Sequence, residues 1–207
     1  MSIKLYKPNF KNTGSLFSFE IGEGYKDKSP TLYIKALHQH HWDESKHIGS
    51  FSEYAKRENG QLVYPEHNIS IKMSEFEVGS IIDVLEHGGD WNGFHSSNVS
   101  QDKTGILFYQ KVKQVAKKYK DEKGQIAEKQ VDVYGFGLIL TRNVAEKFMI
   151  YIEPGEAVVL KQLLLKYLSR LEDFRSVEDK KHFSKKGEYQ QQDKEEISQE
   201  SSEEPLF

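Results

Sequence analysis

The sequence predicts an α+β fold in which a group of antiparallel strands is followed by a helix, and this module occurs twice. Short stretches alternate apolar with polar residues, as half-buried strands do, and two longer stretches repeat apolar residues with the helical period. The two strand-to-helix junctions also align, since ISIKMSEFEVGSIIDVLEH (69–87) lies over FMIYIEPGEAVVLKQLLLK (148–166). We therefore expect two curved antiparallel sheets and two helices.

The first half of the chain carries the signals for strands, a hairpin and a capped helix. Strands are predicted at 15–23, 31–40 and 67–73, with a hairpin at 49–64. The hairpin is predicted from Asn59 and Gly60, a pair that favours tight turns. Ser74 and Glu77 have the spacing of a capping box, and an apolar stripe of helical period follows them. Gly88 is expected to end this helix.

The second half repeats the order of strands and helix. Strands are predicted at 105–115, 131–141 and 146–152, with a polar connection between the first two. Gly135 and Gly137 interrupt the middle strand and predict a bend or bulge there. Pro154 is expected to open the second helix, because the first helical position needs no backbone N–H.

The apolar period fails beyond Leu171, which predicts a domain at 1–171 and a disordered acidic tail at 172–207. The tail contains eleven Asp and Glu against six Lys and Arg, a net charge of −5, whereas the whole chain has a net charge of −3. Such a segment buries too little apolar area to offset the entropy of ordering it. An acidic tail on a slightly basic body is typical of an interaction segment.

Several classes of protein find no support in the sequence. The chain has no cysteine, which excludes disulfides and thiolate chemistry. It has no long apolar run, so we expect a soluble cytoplasmic protein that crosses no membrane. No phosphate-binding loop, nucleophile elbow or catalytic triad spacing is present, so we expect neither an enzyme nor a cofactor.

A histidine cluster leaves one enzymatic alternative open. His38, His40, His41 and His47 surround two carboxylates in HQHHWDESKH, and imidazoles with a carboxylate can hold zinc or iron. If the strand continues through this stretch, His38 and His40 share one side of it. A metal-dependent enzyme is the corresponding hypothesis, although no metalloprotease-like spacing supports it.

The predicted strands place tyrosine and lysine together on the face opposite the apolar one. Lysines bind phosphates with a salt-dependent affinity, and tyrosine rings stack on bases of any identity. This combination predicts a site for single-stranded nucleic acid, with RNA as the alternative to DNA. The expected contact residues are Lys7 and Lys11 on a basic, Pro-containing N-terminal loop, and Tyr33, Lys35, Lys72, Tyr109, Lys111, Lys113, Lys147 and Tyr151 on the strands.

Strands followed by a helix, repeated once, resemble the Whirly family of single-stranded-DNA-binding proteins. The similarity rests on ISIKMSEFEVGSIIDVLEH, on VYGFGLILT with FMIYIEPGEAVVLKQLLLKYL, and on the lead YKPNFKNTGSLFSFEI. It implies sequence-independent binding of single-stranded DNA in replication or recombination. It also implies a homo-oligomer, either a dimer or a tetramer.

The segment ESSEEPLF resembles the acidic tails of bacterial and phage single-stranded-DNA-binding proteins. That resemblance implies that Pro205, Leu206 and Phe207 engage replication or recombination proteins, in a bacterial or phage-infected cell. A purely structural oligomeric protein, whose tail recruits partners without any nucleic acid, is the remaining alternative.

Overall fold

Twelve strands and two helices form in the part of the chain that the computed structural model describes, which is residues 1–24, 28–51, 56–58, 61–63, 68–96, 103–120 and 124–200. Side chains are described in all of these ranges except 56–58, 61–63 and 180–200. The strands are β1 (Ser2–Lys7), β2 (Ser15–Glu23), β3 (Pro30–His38), β4 (His41–Asp43), β5 (Ile48–Ser50), β6 (Lys56–Glu58), β7 (Gln61–Val63), β8 (Asn68–Met73), β9 (Asp90–Ser96), β10 (Lys103–Lys120), β11 (Ile126–Arg142) and β12 (Glu146–Ile152). The helices are α1 (Glu75–His87) and α2 (Pro154–Glu200).

The chain divides into two units, Met1–Tyr167 and Leu168–Phe207. The first unit contains all of the strands and α1. The class is α+β with antiparallel sheets, as the sequence predicts. Neither helix of the described residues combines the length and the apolar character that crossing a bilayer requires.

The first four-stranded sheet, called sheet 1, has the strand order β1-β2-β3-β8 and is antiparallel throughout. Successive side chains on a strand point to opposite faces, and the apolar residues at every second position form the inner face of the sheet. Phe19, Ile34 and Ile71 lie in one cross-strand row of this face and are all buried. The predicted bounds of β2 are confirmed.

Strand β1 differs from the loop that its basic, Pro-containing sequence predicts. Residues 2–7 pair with β2 over their whole length, and Leu5 is buried against the inner face. Pro8 lies just beyond the strand, where its missing N–H breaks no ladder hydrogen bond.

Strand β3 ends at His38, earlier than predicted, because Gln39 joins a different network. The Gln39 amide accepts from the backbone N–H of Asn9 at 2.8 Å and donates to the backbone carbonyl of Asn9 at 2.9 Å. His38 and His40 would share one side only if the strand continued through both, and this condition is not met because β3 ends at His38.

Helix α1 begins and ends where the sequence predicts. Ser74 is the N-cap, and its hydroxyl accepts from the Glu77 backbone N–H while the Glu77 carboxylate accepts from the Ser74 backbone N–H. Gly88 follows the last turn with a φ of 80°, a value that favours glycine. The buried side of the helix, which includes Val78 and Ile81, packs against β9 and β10.

The second four-stranded sheet, called sheet 2, has the order β12-β11-β10-β9 and is also antiparallel. Its inner face carries the buried residues Phe108, Leu138 and Ile150 in one cross-strand row. The predicted bounds of β12 are confirmed, and β9 is a strand that the sequence left undefined. The inner faces of both sheets meet at β12, where the His38 ring stacks on the Phe148 ring at 4.2 Å.

Strands β10 and β11 run much further than predicted. Their antiparallel pairing continues from Thr104 opposite Arg142 to Lys120 opposite Ile126 without a break in register. Residues 116–120 and 126–130 are therefore strand, where the sequence predicts a polar connection. The predicted bulge is also wrong, because Gly135 and Gly137 keep the regular register.

Helix α2 opens at Pro154, as predicted, and its apolar stripe includes the buried residues Leu160, Leu163 and Leu164. The helical backbone continues to Glu200, through most of the segment for which the composition predicts disorder. The residues of this extension are rich in Lys, Glu and Gln, which have high helix propensity even where no core is available. Residues 201–207 lie outside the described residues.

Two small hairpins complete the described strands. Strand β4 pairs with β5, and β6 pairs with β7, both antiparallel. The predicted Asn59-Gly60 turn lies between β6 and β7, outside the described residues.

Candidate nucleic-acid interface

The outer face of sheet 2 consists of cross-strand rows of side chains. One row joins Asp90, Tyr109, Gly137 and Tyr151, and it is called the tyrosine row. The neighbouring row on one side pairs Lys111 with Gly135, and the next pairs Lys113 with Val133. Five of the ten predicted contact residues therefore share this face: Tyr109, Lys111, Lys113, Lys147 and Tyr151.

The two tyrosine rings lie against the sheet because β11 has glycine beneath each of them. A Cβ at Gly137 would lie within 3.0 Å of the Tyr109 ring, and a Cβ at Gly135 would meet the hydroxyl end of Tyr151. Any larger residue would displace the rings. Both rings are half-buried, so one side is packed and the other is available to a ligand.

Tyr151 is held by packing and by charge. The ammonium group of Lys113 lies 5.5 Å from the centre of its ring, within the range of a cation–π interaction. Its hydroxyl is buried and has no hydrogen-bond partner among the described residues. Burial raises the pKa of the phenol, and the negative charge of Glu153 raises it further. Tyr151 is therefore a neutral aromatic surface at physiological pH.

The remaining rows of this face add a third ring and another cation. Asn92, Leu107, Ile139 and Met149 form the row next to the tyrosine row, and Phe94, Gly105, Thr141 and Lys147 form the row beyond it. The Phe94 side chain is 64% exposed. The sequence did not predict Phe94 as a contact residue, because DWNGFHS lacks the apolar–polar alternation of a strand and β9 is defined by its pairing with β10.

The outer face of sheet 1 carries Tyr33, Lys35 and Lys72. Tyr33 and Lys72 are directly opposite each other on β3 and β8. A shallow depression of about 470 Å³ lies beside them, lined in part by Ser2, Tyr33, Lys35 and Ser70. This face is separate from the outer face of sheet 2, since the inner faces of the two sheets meet.

The charge of Lys35 is partly neutralised within the protein. Its ammonium group donates to the Glu20 carboxylate at 2.7 Å, and this hydrogen bond lowers the pKa of Glu20 against the opposing effect of burial. Lys35 is thus a weaker candidate for phosphate contact than the exposed Lys72.

Lys7 is engaged in ion pairs within the protein and is therefore less available to a ligand. Its ammonium group lies 2.7 Å from the Glu156 carboxylate and 3.3 Å from that of Glu153, at the beginning of α2. Burial favours a lower pKa for Lys7, but the hydrogen bonds to Glu156 and Glu153 raise it above its ordinary value. Lys11 is exposed on the loop after β1, with its ammonium group 5.7 Å from the centre of the Phe10 ring.

The histidine cluster does not assemble in the described part of the chain. His38 packs on Phe148, whereas His40, His41 and His47 are exposed. Among the described residues, no group of three or more His, Asp or Glu side chains is placed to hold a metal ion. The predicted partner-binding residues Pro205, Leu206 and Phe207 lie outside the described residues.

Comparison with known proteins assigns no family to this chain. No family model matches it, and no curated protein matches it significantly. Among solved structures, it is similar to the plant transcriptional regulator PBF-2, with 11% identity, a TM-score of 0.48, and coverage of 87% of this chain and 86% of that chain. At this identity and TM-score, the likeness assigns neither a family nor a ligand to the chain.

Proposed function

We propose that this protein binds single-stranded DNA without strong sequence preference, mainly on the outer face of sheet 2. The observation that carries the proposal is the tyrosine row, in which the hydroxyl ends of two half-buried tyrosine rings lie over Gly137 and Gly135, with Lys111 and Lys113 in the adjacent rows. A flat ring stacks on any base, and each stacked base contributes about 1–3 kcal/mol. Lysines beside the rings contact the phosphates that connect those bases.

The geometry favours an unpaired strand over a duplex. Stacking on a tyrosine ring requires that a base leave its neighbours and expose its flat face, which bases inside a duplex do not do. The rings lie on an open sheet face, and α1 packs on the opposite, inner side of sheet 2. The site therefore has no helix that could enter the major groove of a duplex. Tyr33 and Lys72 on sheet 1 form a second, smaller surface of the same type.

Binding of labelled oligo-dT of about 30 nucleotides, measured by fluorescence anisotropy at several salt concentrations, tests the proposal. Tyr109→Ala is expected to raise Kd by about 5- to 160-fold, the equivalent of 1–3 kcal/mol. Tyr134→Ala is the matched control, because Tyr134 is on the same hairpin but on the opposite face, and is 57% exposed. No binding at low salt, or equal losses in both variants, would contradict the proposed surface.

The proposal includes a Whirly-like, duplicated architecture for the first unit. It is supported by the order of elements, since each four-stranded sheet is followed directly by a helix. Both helices also begin in the same way: the carboxylate of Glu77 accepts from the backbone N–H of Ser74, and that of Glu156 accepts from the backbone N–H of Glu153. The role of such a protein would be to protect or organise single strands during replication or recombination in a bacterial or phage-infected cytoplasm, without enzymatic activity. RNA is the competing ligand, and a matched RNA oligomer in the same titration separates the two.

Self-association and recruitment by the tail complete the proposal. Val158 and Leu165 are seven residues apart on one side of α2 and are exposed, at 62% and 40%, which supports contact with a second copy. Sedimentation equilibrium of Val158→Asp against wild type tests this contact. The acidic segment 172–207 is proposed to compete with DNA, and Pro205, Leu206 and Phe207 to contact a replication or recombination protein.

A further inference from the structure

Beyond sheet 2, β10 and β11 continue as a two-stranded ribbon that pairs with no other strand among the described residues. The pairing of β9 with β10 ends where Asp90 meets Tyr109, and the pairing of β12 with β11 ends where Ile152 meets Phe136. The ribbon is defined as residues 111–120 with 126–135. At about 3.4 Å per residue it is roughly 30 Å long.

The two faces of the ribbon differ in charge. Cross-strand partners share a face, so the register assigns every residue of the ribbon to one of two sets. One set continues the outer face of sheet 2, contains no Asp or Glu, and is called the basic face: Lys111, Lys113, Val115, Lys117, Tyr119, Ala127, Lys129, Val131, Val133 and Gly135. The opposite face is mixed, with Lys118 and Lys120 beside Glu128 and Asp132.

One pairing on the basic face opposes folding of the ribbon. Lys117 is directly opposite Lys129, and like charges at such positions destabilise a sheet. On the other face, Lys118 is opposite Glu128, and their charged groups are 3.6 Å apart. A ribbon of two strands is marginally stable in water, so an unfavourable pair of lysines is tolerated most easily where an anionic ligand compensates it.

We infer that the basic face of the ribbon binds the phosphate backbone of a single strand as it leaves the tyrosine row. This inference rests on the proposed function and extends its site by Lys117 and Lys129. The basic face is continuous with the tyrosine row through Lys111 and Lys113, so one strand can contact both without changing sides. The rings hold bases, and the ribbon holds phosphates.

The spacing of the rows suits an extended strand. Side chains of one face recur about every 6.8 Å along β10, which is two residues. This is about twice the 3.4 Å axial rise per nucleotide of a stacked strand in a duplex. A strand whose bases are drawn apart to about 6.8 Å on the tyrosine rings would place one nucleotide at each row.

Two double variants with the same change in charge test the inference in the full-length protein. Lys117→Gln with Lys129→Gln removes two positive charges from the basic face. Lys118→Gln with Lys120→Gln removes two from the opposite face and is the matched control. Circular dichroism and thermal melting establish that both proteins keep the fold before binding is compared.

Binding is measured with labelled oligo-dT of about 3 and about 30 nucleotides, the shorter being too short to extend from the tyrosine row to Lys117. For the longer oligomer, the basic-face variant is expected to reduce the slope of log K against log salt by about 1.4, since each phosphate contact contributes about 0.7 for a single strand. The control is expected to change this slope by less than about 0.5. Neither variant is expected to change the binding of the shorter oligomer.

Each outcome separates the inference from the function on which it rests. If wild type binds the longer oligomer and the two variants lose the same affinity, the inference is overturned and the proposed function stands. If wild type binds neither oligomer at low salt, both are overturned. If the basic-face variant leaves binding unchanged but alters the mass measured by sedimentation, the basic face contacts a second copy rather than DNA, which also overturns the inference.

Discussion

Replacing Gly137 with Ala places a methyl group where the ring of Tyr109 now lies. The added Cβ would be within 3.0 Å of two ring atoms and the hydroxyl oxygen of Tyr109, a separation that real Cβ atoms essentially never show. The three atoms nearest to this Cβ all belong to the Tyr109 side chain, so the ring can rotate away while the strand keeps its register. The expected result is a folded protein without one of its two stacking surfaces.

The size of the effect follows from the loss of one stacked base. A base stacked on an aromatic ring contributes about 1–3 kcal/mol, so Kd for oligo-dT is expected to rise by about 5- to 160-fold. The free energy of unfolding is expected to change little. Moving the ring has a cost, but Ala loses less backbone entropy than Gly on entering a strand, and this difference of about 0.5–1 kcal/mol offsets part of that cost. Fluorescence anisotropy measures the first quantity and thermal melting measures the second.

Gly105→Ala is the control for this variant. Gly105 is also on the outer face of sheet 2, and a Cβ there would meet nothing within 4 Å. It is expected to bind as wild type does. A double variant of Gly137→Ala with Tyr109→Ala is expected to lose no more affinity than Tyr109→Ala alone, because both changes remove the same interaction. Wild-type affinity in a folded Gly137→Ala protein, or an equal loss in the control, would refute the stacking argument.

Three other changes test the charges of the molecule. Lys7→Gln is expected to lower the free energy of unfolding, measured by urea denaturation, by about 1 kcal/mol, because Glu156 loses its lysine partner. It is also expected to weaken oligo-dT binding, measured by anisotropy, less than Lys111→Gln does. An unchanged free energy of unfolding, or a larger loss of affinity than in Lys111→Gln, would contradict this assignment of Lys7. Glu20 has a folded pKa below its ordinary value of 4.5, so its contribution to stability is complete above that value and is lost as pH falls through the folded pKa. Urea midpoints measured from about pH 6 to about pH 3 should therefore fall less steeply for Glu20→Gln than for wild type, and parallel curves would argue against the ion pair. Removing residues 177–207 should tighten oligo-dT binding at low salt and have little effect at high salt, because screening weakens competition by an acidic segment; an unchanged affinity at low salt would exclude that competition.

Local sequence determined the elements whose signals lie within a few residues. The bounds of β2 and β12 follow from alternation bounded by turn residues, and α1 follows from Ser74 and Glu77, which are three residues apart. The separation of tyrosine and lysine from the apolar residues follows from the two-residue period of a strand. These features need no knowledge of what the strand pairs with.

Elements that depend on a partner distant in the chain could not be predicted from the sequence. Strand β1 is short and basic, and it is a strand because β2 offers it a ladder and an apolar surface for Leu5. The outer half of the ribbon, residues 116–120 and 126–130, has too few apolar residues to predict strands. Its strands are fixed by cross-strand hydrogen bonds and by pairs such as Val115 with Val131, which act only once the hairpin has formed.

The composition of the candidate site was determined by the sequence, but its arrangement was decided by the tertiary structure. Alternation placed Tyr109 and Tyr151 on outward faces, yet only the register shows that both belong to one row with Gly137 between them. The ion pair that occupies Lys7 joins residues 149 positions apart. The physical reason is the same in both cases: a side chain's chemistry and its local period are properties of nearby residues, whereas its neighbours in space are set by how the sheets pair and pack.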